Sequence, residues 1–138
     1  MYMPFTEAIP SNDVVSLEDR PHQIGELAEK FGITLRTIRF YEERGLIAPR
    51  RISARTRLYD IDDVARLSLI VALRRYGVSV DAIADLLATR DTKGTDAFLP
   101  MLAAVLTTRL SEMATEITEA RRLHAGLDAW IADLNIAS

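Results

Sequence analysis

A stripe of apolar residues in the last third of the chain constrains the fold most. Between Leu99 and Leu134, apolar side chains recur in alternating steps of four and three residues over about five heptads. This spacing is typical of a helix face that packs against another helix. The sequence therefore predicts a helix over residues 98–135, about 50 Å long. The stripe comprises Leu99, Ala103, Leu106, Leu110, Met113, Ile117, Ala120, His124, Leu127, Ile131 and Leu134.

This helix needs a partner for its apolar stripe. Folding back on the rest of the chain would require a reverse turn, and no Gly-Pro or Asn-Gly pair interrupts the stripe. We therefore favour pairing with the same helix of a second chain. His124 is then either a buried, hydrogen-bonded histidine or a pH- or ligand-sensitive group, and Trp130 either an interface anchor or a ligand contact. The predicted dimerisation residues are Leu99, Leu106, Leu110, Met113, Ile117, Leu127 and Ile131.

Two short helical patterns joined by a tight turn precede this segment. Ile24, Leu27, Ala28 and Phe31 have the i, i+3, i+4, i+7 spacing of one buried helix face. Gly32 follows where a left-handed C-terminal cap is expected. Two helices connected in this way are typical of a helix-turn-helix unit, whose second helix enters the DNA major groove.

The second short helix is predicted to begin after Thr34, a favourable N-cap, and to end at Gly45. Leu35 and Ile38 are expected to point into the core. The expected outward residues would contact base edges and phosphates, although a solvated helix face with a few arginines is an alternative. These outward residues are Arg36, Thr37, Arg39 and Phe40.

A short hairpin rich in arginine is predicted over residues 46–59. Four arginines fall within eight positions there, a density that suits a β-ribbon lying along the DNA backbone or reaching the minor groove. An ordinary basic surface loop is the alternative. These arginines are Arg50, Arg51, Arg55 and Arg57.

Together these segments resemble the MerR family of winged helix-turn-helix transcription regulators. The matching motifs are Ile24–Ala28, Arg36–Glu42, Gly45–Pro49 and Arg57–Tyr59, and the similarity extends over roughly residues 22–90. One departure concerns the wing, which often carries Gly-Tyr in this family where the chain has Arg55-Thr56.

The resemblance implies a fold and roles for individual residues. It implies an all-α protein with a small β-hairpin wing, in which a winged helix-turn-helix DNA-binding domain is followed by a long C-terminal dimerisation helix in an antiparallel coiled coil. Arg36 and its neighbours would contact the major groove, Tyr41 a phosphate and Arg57 the DNA backbone. The full predicted DNA-binding set is Arg36, Thr37, Arg39, Phe40, Tyr41, Arg50, Arg51, Arg55, Arg57 and Tyr59.

Two further helices and a linker are expected between the wing and the long helix. Asp60 can cap one helix, which Gly77 would end, and Ser79 can cap the next. The arginines of the turn at Arg74–Ser79 would either contact phosphate or satisfy a helix dipole. The predicted domains are a disordered acidic tail (1–20), the DNA-binding domain (21–90), a polar linker (91–97) and the dimerisation helix (98–135).

The distribution of charge favours a local DNA-binding surface despite a net charge of −3. Residues 1–19 contain four acids and no Lys or Arg, and residues 77–138 contain nine acids and five bases. Residues 20–76 contain twelve bases and seven acids, a net charge of +5. A basic module between acidic flanks is expected of a domain that faces phosphates.

The residue types that are missing also limit the function. The chain has no cysteine and only two distant histidines, so we expect no disulfide, no sensing of metal or redox state through thiolates, and no cofactor. No nucleophile–base pair or glycine-rich phosphate loop suggests an enzyme. The absence of a long apolar run or a signal-peptide pattern predicts a cytoplasmic protein without membrane association.

We therefore predict a homodimeric regulator that binds a pseudo-palindromic promoter operator in double-stranded DNA and works with RNA polymerase. The resemblance implies that it would do so by deforming the promoter. The alternatives are an architectural DNA-binding factor and a coiled-coil protein-interaction adaptor. The sequence does not identify an effector ligand, the target genes, or the choice between activation and repression.

Overall fold

The computed structural model describes residues 20–51 and 57–136, with the backbone alone at positions 50, 51, 57 and 136. The predicted disordered tail, except Arg20, and the wing residue Arg55 lie outside the described residues. The chain divides into two compact units, with the boundary between Leu102 and Ala103.

Five helices and three short strands form the described chain. In chain order these are β1 (His22–Gln23), α1 (Ile24–Phe31), α2 (Leu35–Glu43), β2 (Arg50–Arg51), β3 (Arg57–Tyr59), α3 (Ile61–Arg75), α4 (Val80–Lys93) and α5 (Thr95–Ile136).

The turn between α1 and α2 has the expected caps. Gly32 ends α1 with φ +65°, in the left-handed region where a side chain is strained. The Ile33 N–H donates to the Ala28 carbonyl at 3.0 Å. Thr34 caps α2, because its Oγ1 accepts the Thr37 N–H at 3.1 Å. Both predicted caps are confirmed, and they fix where α2 begins.

The core of the first unit forms where α1, α2, α3 and α4 turn their apolar faces inward. Ile38 is fully buried in it, as expected, but the inward prediction for Leu35 is wrong, because 41% of Leu35 is exposed. The buried side of α2 is defined by Ile38 and Tyr41. At about 100° per residue, Leu35 lies about 90° away from the centre of that side. The other large, fully buried side chains are Leu27, Ile47, Tyr59, Leu67, Leu69, Ile70, Ile83, Leu86 and Leu87.

A small antiparallel sheet joins the wing to the start of α1. Its strand order is β1-β3-β2, with His22 opposite Tyr59 and Arg51 opposite Arg57. The β2–β3 pair is the predicted hairpin. Strand β1 was not predicted, because two residues are too few to show an alternating pattern.

Helices α3 and α4 begin at the expected caps. Asp60 accepts the Asp63 N–H at 3.0 Å, and Ser79 accepts the Ala82 N–H at 3.2 Å. The break predicted over residues 91–97 is present but much shorter, because residues 91–93 form the last turn of α4 and only Gly94 separates α4 from α5. Polar side chains in this stretch face solvent on a helix, so composition alone overestimated the length of the break.

The first two turns of α5 belong to the first compact unit. Phe98 and Leu102 are buried there, and the helix begins at Thr95 rather than at residue 98. Pro100 therefore lies in the second turn, where it withholds the N–H that would bond to the Asp96 carbonyl. The second unit consists of the rest of α5, from Ala103 onward. Within the described residues, no helix is both long and apolar enough to cross a membrane.

Candidate nucleic-acid interface

Five exposed residues of α2 occupy one side of the helix, which we call the outward face of α2. At about 100° per residue they span an arc of about 140°, opposite Ile38 and Tyr41. The face carries two arginines, two large apolar side chains and one acid. Its members are Leu35, Arg36, Arg39, Phe40 and Glu43.

Arg36 and Arg39 are the two cations of this face. Among residues 20–51 and 57–136, neither guanidinium forms an ion pair. An unpaired, exposed arginine presents its planar fork of donors to any phosphate or guanine that approaches. The structure thus leaves these two predicted DNA contacts available to a ligand.

Thr37, also a predicted DNA contact, takes part in the cap of α2. It is half-buried, and its Oγ1 lies 2.9 Å from Thr34 Oγ1. Its N–H donates to the same oxygen. Thr37 therefore stabilises the N-terminus of α2 instead of lying on the outward face.

Phe40 places an aromatic ring on the outward face, with 41% of the residue exposed. The Arg44 guanidinium lies 6.0 Å from the ring centroid, at the limit of a cation–π contact. Arg44 also pairs with Asp81 in the first turn of α4, at 2.5 Å. This pair links the end of α2 to α4.

Tyr41 lies on the buried side of α2, with only 5% of the residue exposed. Burial raises the pKa of its hydroxyl, and the nearby Arg74 guanidinium acts in the opposite direction. Its ring centroid is 5.9 Å from that of Phe40. The predicted phosphate contact by Tyr41 is therefore not supported by this geometry, which makes it a packing residue beneath the outward face.

Tyr59, another predicted DNA contact, is fully buried. Its hydroxyl donates to Glu42 Oε2 at 3.0 Å, which links β3 to α2. A side chain without exposed surface does not reach DNA in this conformation, so the prediction of a direct contact is corrected. Tyr59 instead holds β3 against α2.

Two side chains of α3 hold the loop between α2 and β2. Arg66 donates from Nε to the Leu46 carbonyl at 2.7 Å and from Nη1 to Asp91 at 2.7 Å. Asp63 accepts the Ala48 N–H at 3.1 Å. The sequence analysis identified neither role. An aspartate and an arginine three residues apart on a mainly apolar helix could have indicated them.

The Asp63 carboxyl is buried and titrates far from its usual range. Burial raises its pKa to about 6, and the negative charge of Asp60 adds to this increase. The hydrogen bond from the Ala48 N–H opposes it. The loop that leads into the wing is thus held by a carboxyl group whose ionised form is disfavoured by burial.

At the three wing arginines Arg50, Arg51 and Arg57, the structure describes the backbone only. β2 and β3 pair in antiparallel register, with Arg50 opposite Leu58 and Arg51 opposite Arg57. The contacts expected of Arg50, Arg51 and Arg57 therefore stay predictions, and Arg55 lies outside the described part of the chain.

A buried histidine lies where the described chain begins. His22 is almost fully buried, with Nδ1 3.0 Å from Glu26 Oε1. Glu26 also pairs with Arg20, and the hydrogen bond from Arg20 is the main reason why the pKa of Glu26 falls to about 2. This cluster was not predicted. It fixes the position of Arg20 against the first turn of α1.

The predicted dimerisation residues lie along α5, and most are exposed in the single chain. Leu110 is 70% exposed, whereas Leu99 and Met113 are half-buried. Ion pairs such as Arg109–Glu116, at 2.8 Å, lie on the same helix. The other exposed members are Leu106, Ile117, Leu127 and Ile131.

Within the described ranges, no group of three or more His, Cys, Asp or Glu side chains is arranged to hold a metal ion.

Two family models match the chain. One, for a MerR HTH family regulatory protein, covers residues 23–90, and the other, for MerR DNA binding, covers residues 64–130. The two matches include α1, α2, the wing and most of α5.

Comparisons with individual proteins indicate the same family. The chain is 36% identical over 106 residues to a transcriptional regulator described as a ZntR homolog from Haemophilus influenzae, with 76% of this chain and 77% of that protein covered. It is similar to HiNmlR, a MerR family regulator lacking the sensor domain, bound to promoter DNA (TM-score 0.59, 26% identity, 75% and 77% of the two chains). It is also similar to PbrR691 from Ralstonia metallidurans CH34 in complex with lead(II) (TM-score 0.62, 32% identity, 77% and 82%).

Proposed function

The chain belongs to the MerR family of DNA-binding transcription regulators, and from this premise we propose that it acts as a homodimer on a pseudo-palindromic operator. In the proposed dimer, the second unit of each subunit pairs with that of the other in an antiparallel coiled coil. A two-fold dimer presents two copies of α2 to two half-sites separated by whole turns of DNA.

The exposed apolar stripe of α5 is the observation that supports pairing. Leu106, Leu110, Ile117, Leu127 and Ile131 are all exposed at heptad spacing in the single chain. Burying one such side chain stabilises an assembly by about 1.5–3 kcal/mol. A second copy of α5 matches this stripe in length and in spacing, since it carries the same residues.

The outward face of α2 supports sequence recognition. Arg36 and Arg39 are the groups proposed to form bidentate hydrogen bonds with guanine, and the exposed Phe40 ring suits contact with a thymine methyl group. The wing arginines Arg50, Arg51, Arg55 and Arg57 are proposed to bind phosphates, which adds affinity without sequence preference.

We further propose that the operator lies in a promoter and that RNA polymerase is a partner there, acting in the cytoplasm. The similarity to HiNmlR, which was solved with promoter DNA, supports a promoter site. PbrR691 was solved with lead(II), but this chain contains no cysteine, so any signal it receives is proposed to be something other than a thiolate-bound metal.

Single alanine substitutions test the role of α2. We expect Arg36→Ala or Arg39→Ala to weaken operator binding by about 1–3 kcal/mol and to relax the base preference at one position. Fluorescence anisotropy with operator variants measures both effects. Lys30→Ala is the matched control, because it removes an exposed cation at the end of α1. Unchanged operator affinity in both arginine variants, or a loss equal to that of the control, would overturn the assignment.

A further inference from the structure

We propose that residues 1–19 of this chain bind the outward face of α2 and compete there with DNA. The segment would therefore act as a built-in inhibitor of operator binding. This inference depends on the proposed role of α2 in DNA recognition, and it assigns a regulator to the same surface.

Charge complementarity is the first argument. Residues 1–19 contain Glu7, Asp13, Glu18 and Asp19 and no Lys or Arg, whereas residues 20–76 have a net charge of +5. Arg36 and Arg39 form no ion pair within the described residues. Carboxylates that bind these two guanidinium groups would occupy the donors that phosphates and bases need.

The apolar part of the surface is the second argument. Leu35 and Phe40, on the same outward face, are each 41% exposed. Glu7 is flanked in the sequence by Phe5 and Ile9, so an acid lies between two large apolar residues. The segment around Glu7 thus carries both the acid and the apolar side chains that the arginines and apolar groups of the outward face of α2 would bind.

The point of attachment determines how far each acid of the segment can reach. Arg20 is held against α1 by its ion pair with Glu26, so the segment begins from a fixed position on the same compact unit. At about 3.5 Å per residue, Glu7 reaches up to about 45 Å from Arg20 and Asp13 about 25 Å. A unit of this size is roughly 30 Å across. Glu18 and Asp19, within about 7 Å of Arg20, stay close to α1.

Tethering makes weak binding effective. A segment joined to the domain it binds has an effective concentration in the millimolar range, so even a dissociation constant near that value occupies the site substantially. Because both the segment and DNA bind through charge, we expect the inhibition to be strongest at low salt.

Two double variants with the same change of charge test the proposal in the full chain. Glu7→Gln with Asp13→Asn removes the two acids with the longest reach from Arg20, and Glu18→Gln with Asp19→Asn removes the two that stay nearest to Arg20. We expect the first variant to bind operator DNA at least threefold more tightly at roughly 50 mM salt and to lose this advantage at roughly 200 mM. The second variant should change affinity by less than half as much.

Equal tightening by both variants would overturn the proposal, since simple repulsion between the segment and DNA predicts that result. Unchanged affinity in the first variant would overturn it as well.

Amide chemical shifts in the absence of DNA separate this inference from the proposed function. We expect the Glu7→Gln, Asp13→Asn variant to shift the signals of residues 35–43 relative to the wild type, and the Glu18→Gln, Asp19→Asn variant to leave them in place. Unshifted α2 signals in the first variant would refute docking of the segment even if α2 reads DNA. Shifted signals together with normal operator binding by Arg36→Ala and Arg39→Ala would instead refute the role of α2 and leave docking intact.

Discussion

The two units of this protein bury their apolar residues in different ways. In the first unit, short capped helices enclose side chains such as Leu27, Ile38 and Ile70, and the outward face of α2 remains basic. In the second unit, one helix carries an apolar stripe with Leu110 70% exposed and Leu127 also exposed. Within the described residues, the first unit has a buried core of its own, whereas most of the apolar stripe of the second unit is exposed.

This difference suggests that the two units have different roles. A core closed within one subunit can hold α2 in place whether or not a second subunit is present. If a second chain covers the exposed stripe, as proposed, assembly is what buries it. We therefore expect substitutions in the first unit to change its unfolding free energy, and substitutions on the stripe to change the dimerisation constant.

The largest expected effect comes from charges placed on the stripe. Leu110→Lys with Ile117→Lys should abolish dimerisation, because each dimer would lose four buried apolar side chains, a loss of about 6 kcal/mol or more. Sedimentation equilibrium measures the result. The unfolding of residues 20–102, followed by hydrogen exchange, should be unchanged.

Thr108→Lys with Thr115→Lys is the matched control for this variant. It adds the same charges at the same spacing, but on the opposite side of α5, so the dimer should persist. Loss of the dimer in the control, or a stable dimer with lysines at 110 and 117, would place the interface elsewhere.

Next in size is the pH dependence that arises from Asp63. Burial raises the pKa of Asp63 to about 6, above its usual value of 3.8, so its protonated form stabilises the fold at low pH. That contribution, about 2–3 kcal/mol, is lost as the pH rises through 6. The difference in unfolding free energy between Asp63→Asn and the wild type should therefore change by this amount, in favour of the variant, as the pH rises from 4 to 7. Urea denaturation at constant protein concentration measures this difference.

The control for Asp63 is Asp62→Asn, which removes an exposed carboxylate in the same turn. A parallel pH profile for Asp63→Asn and the wild type would show that burial of the carboxyl carries no such cost. A changed dimerisation constant in Asp63→Asn would weaken the separation between the two units.

A smaller effect is expected at the turn between α1 and α2. Gly32→Ala should destabilise the first unit by about 1 kcal/mol, because φ at this position is +65° while the space around a new Cβ is open. Gly25→Ala, inside α1, also meets open space and should stabilise the unit by about 0.5–1 kcal/mol. Thermal unfolding of both variants measures the two changes in stability. A change of the same sign in both variants would contradict the role of backbone conformation.

The smallest effect is expected for the ion pair between Arg44 and Asp81. Both side chains are exposed, so their coupling in a double-mutant cycle of Arg44→Ala and Asp81→Ala should lie below about 1 kcal/mol and should decrease with salt. A larger, salt-insensitive coupling would mean that this pair, and not the core, holds α2 against α4.

Much of the fold follows from short-range patterns in the sequence. The caps at Gly32, Thr34, Asp60 and Ser79 are local choices of backbone and side chain, so they are readable from neighbouring residues. The length of α5 was readable from its heptad spacing. The extent of the break between α4 and α5 was not, because polar residues on an exposed helix have the same composition as a linker.

The candidate DNA-binding surface was predictable only in part. Arg36, Arg39 and Phe40 lie outward as expected, since their helical positions follow from Ile38. Tyr41 and Tyr59 do not, because a motif names residue types and only packing decides whether a side chain faces solvent or the core. The contacts of Asp63 and Arg66 with the loop after α2 join residues 15 and 20 positions apart, which no local pattern encodes.

Binding to an operator with one half-site scrambled tests the central claim most directly. If two copies of α2 act together through paired α5 helices, scrambling one half-site should cost the wild type at least 4 kcal/mol of specific binding, the lower end of the difference between specific and non-specific DNA. Footprinting should protect both arms of an inverted repeat. Equal affinity for the intact and the half-scrambled operator, with protection of a single arm, would contradict the account.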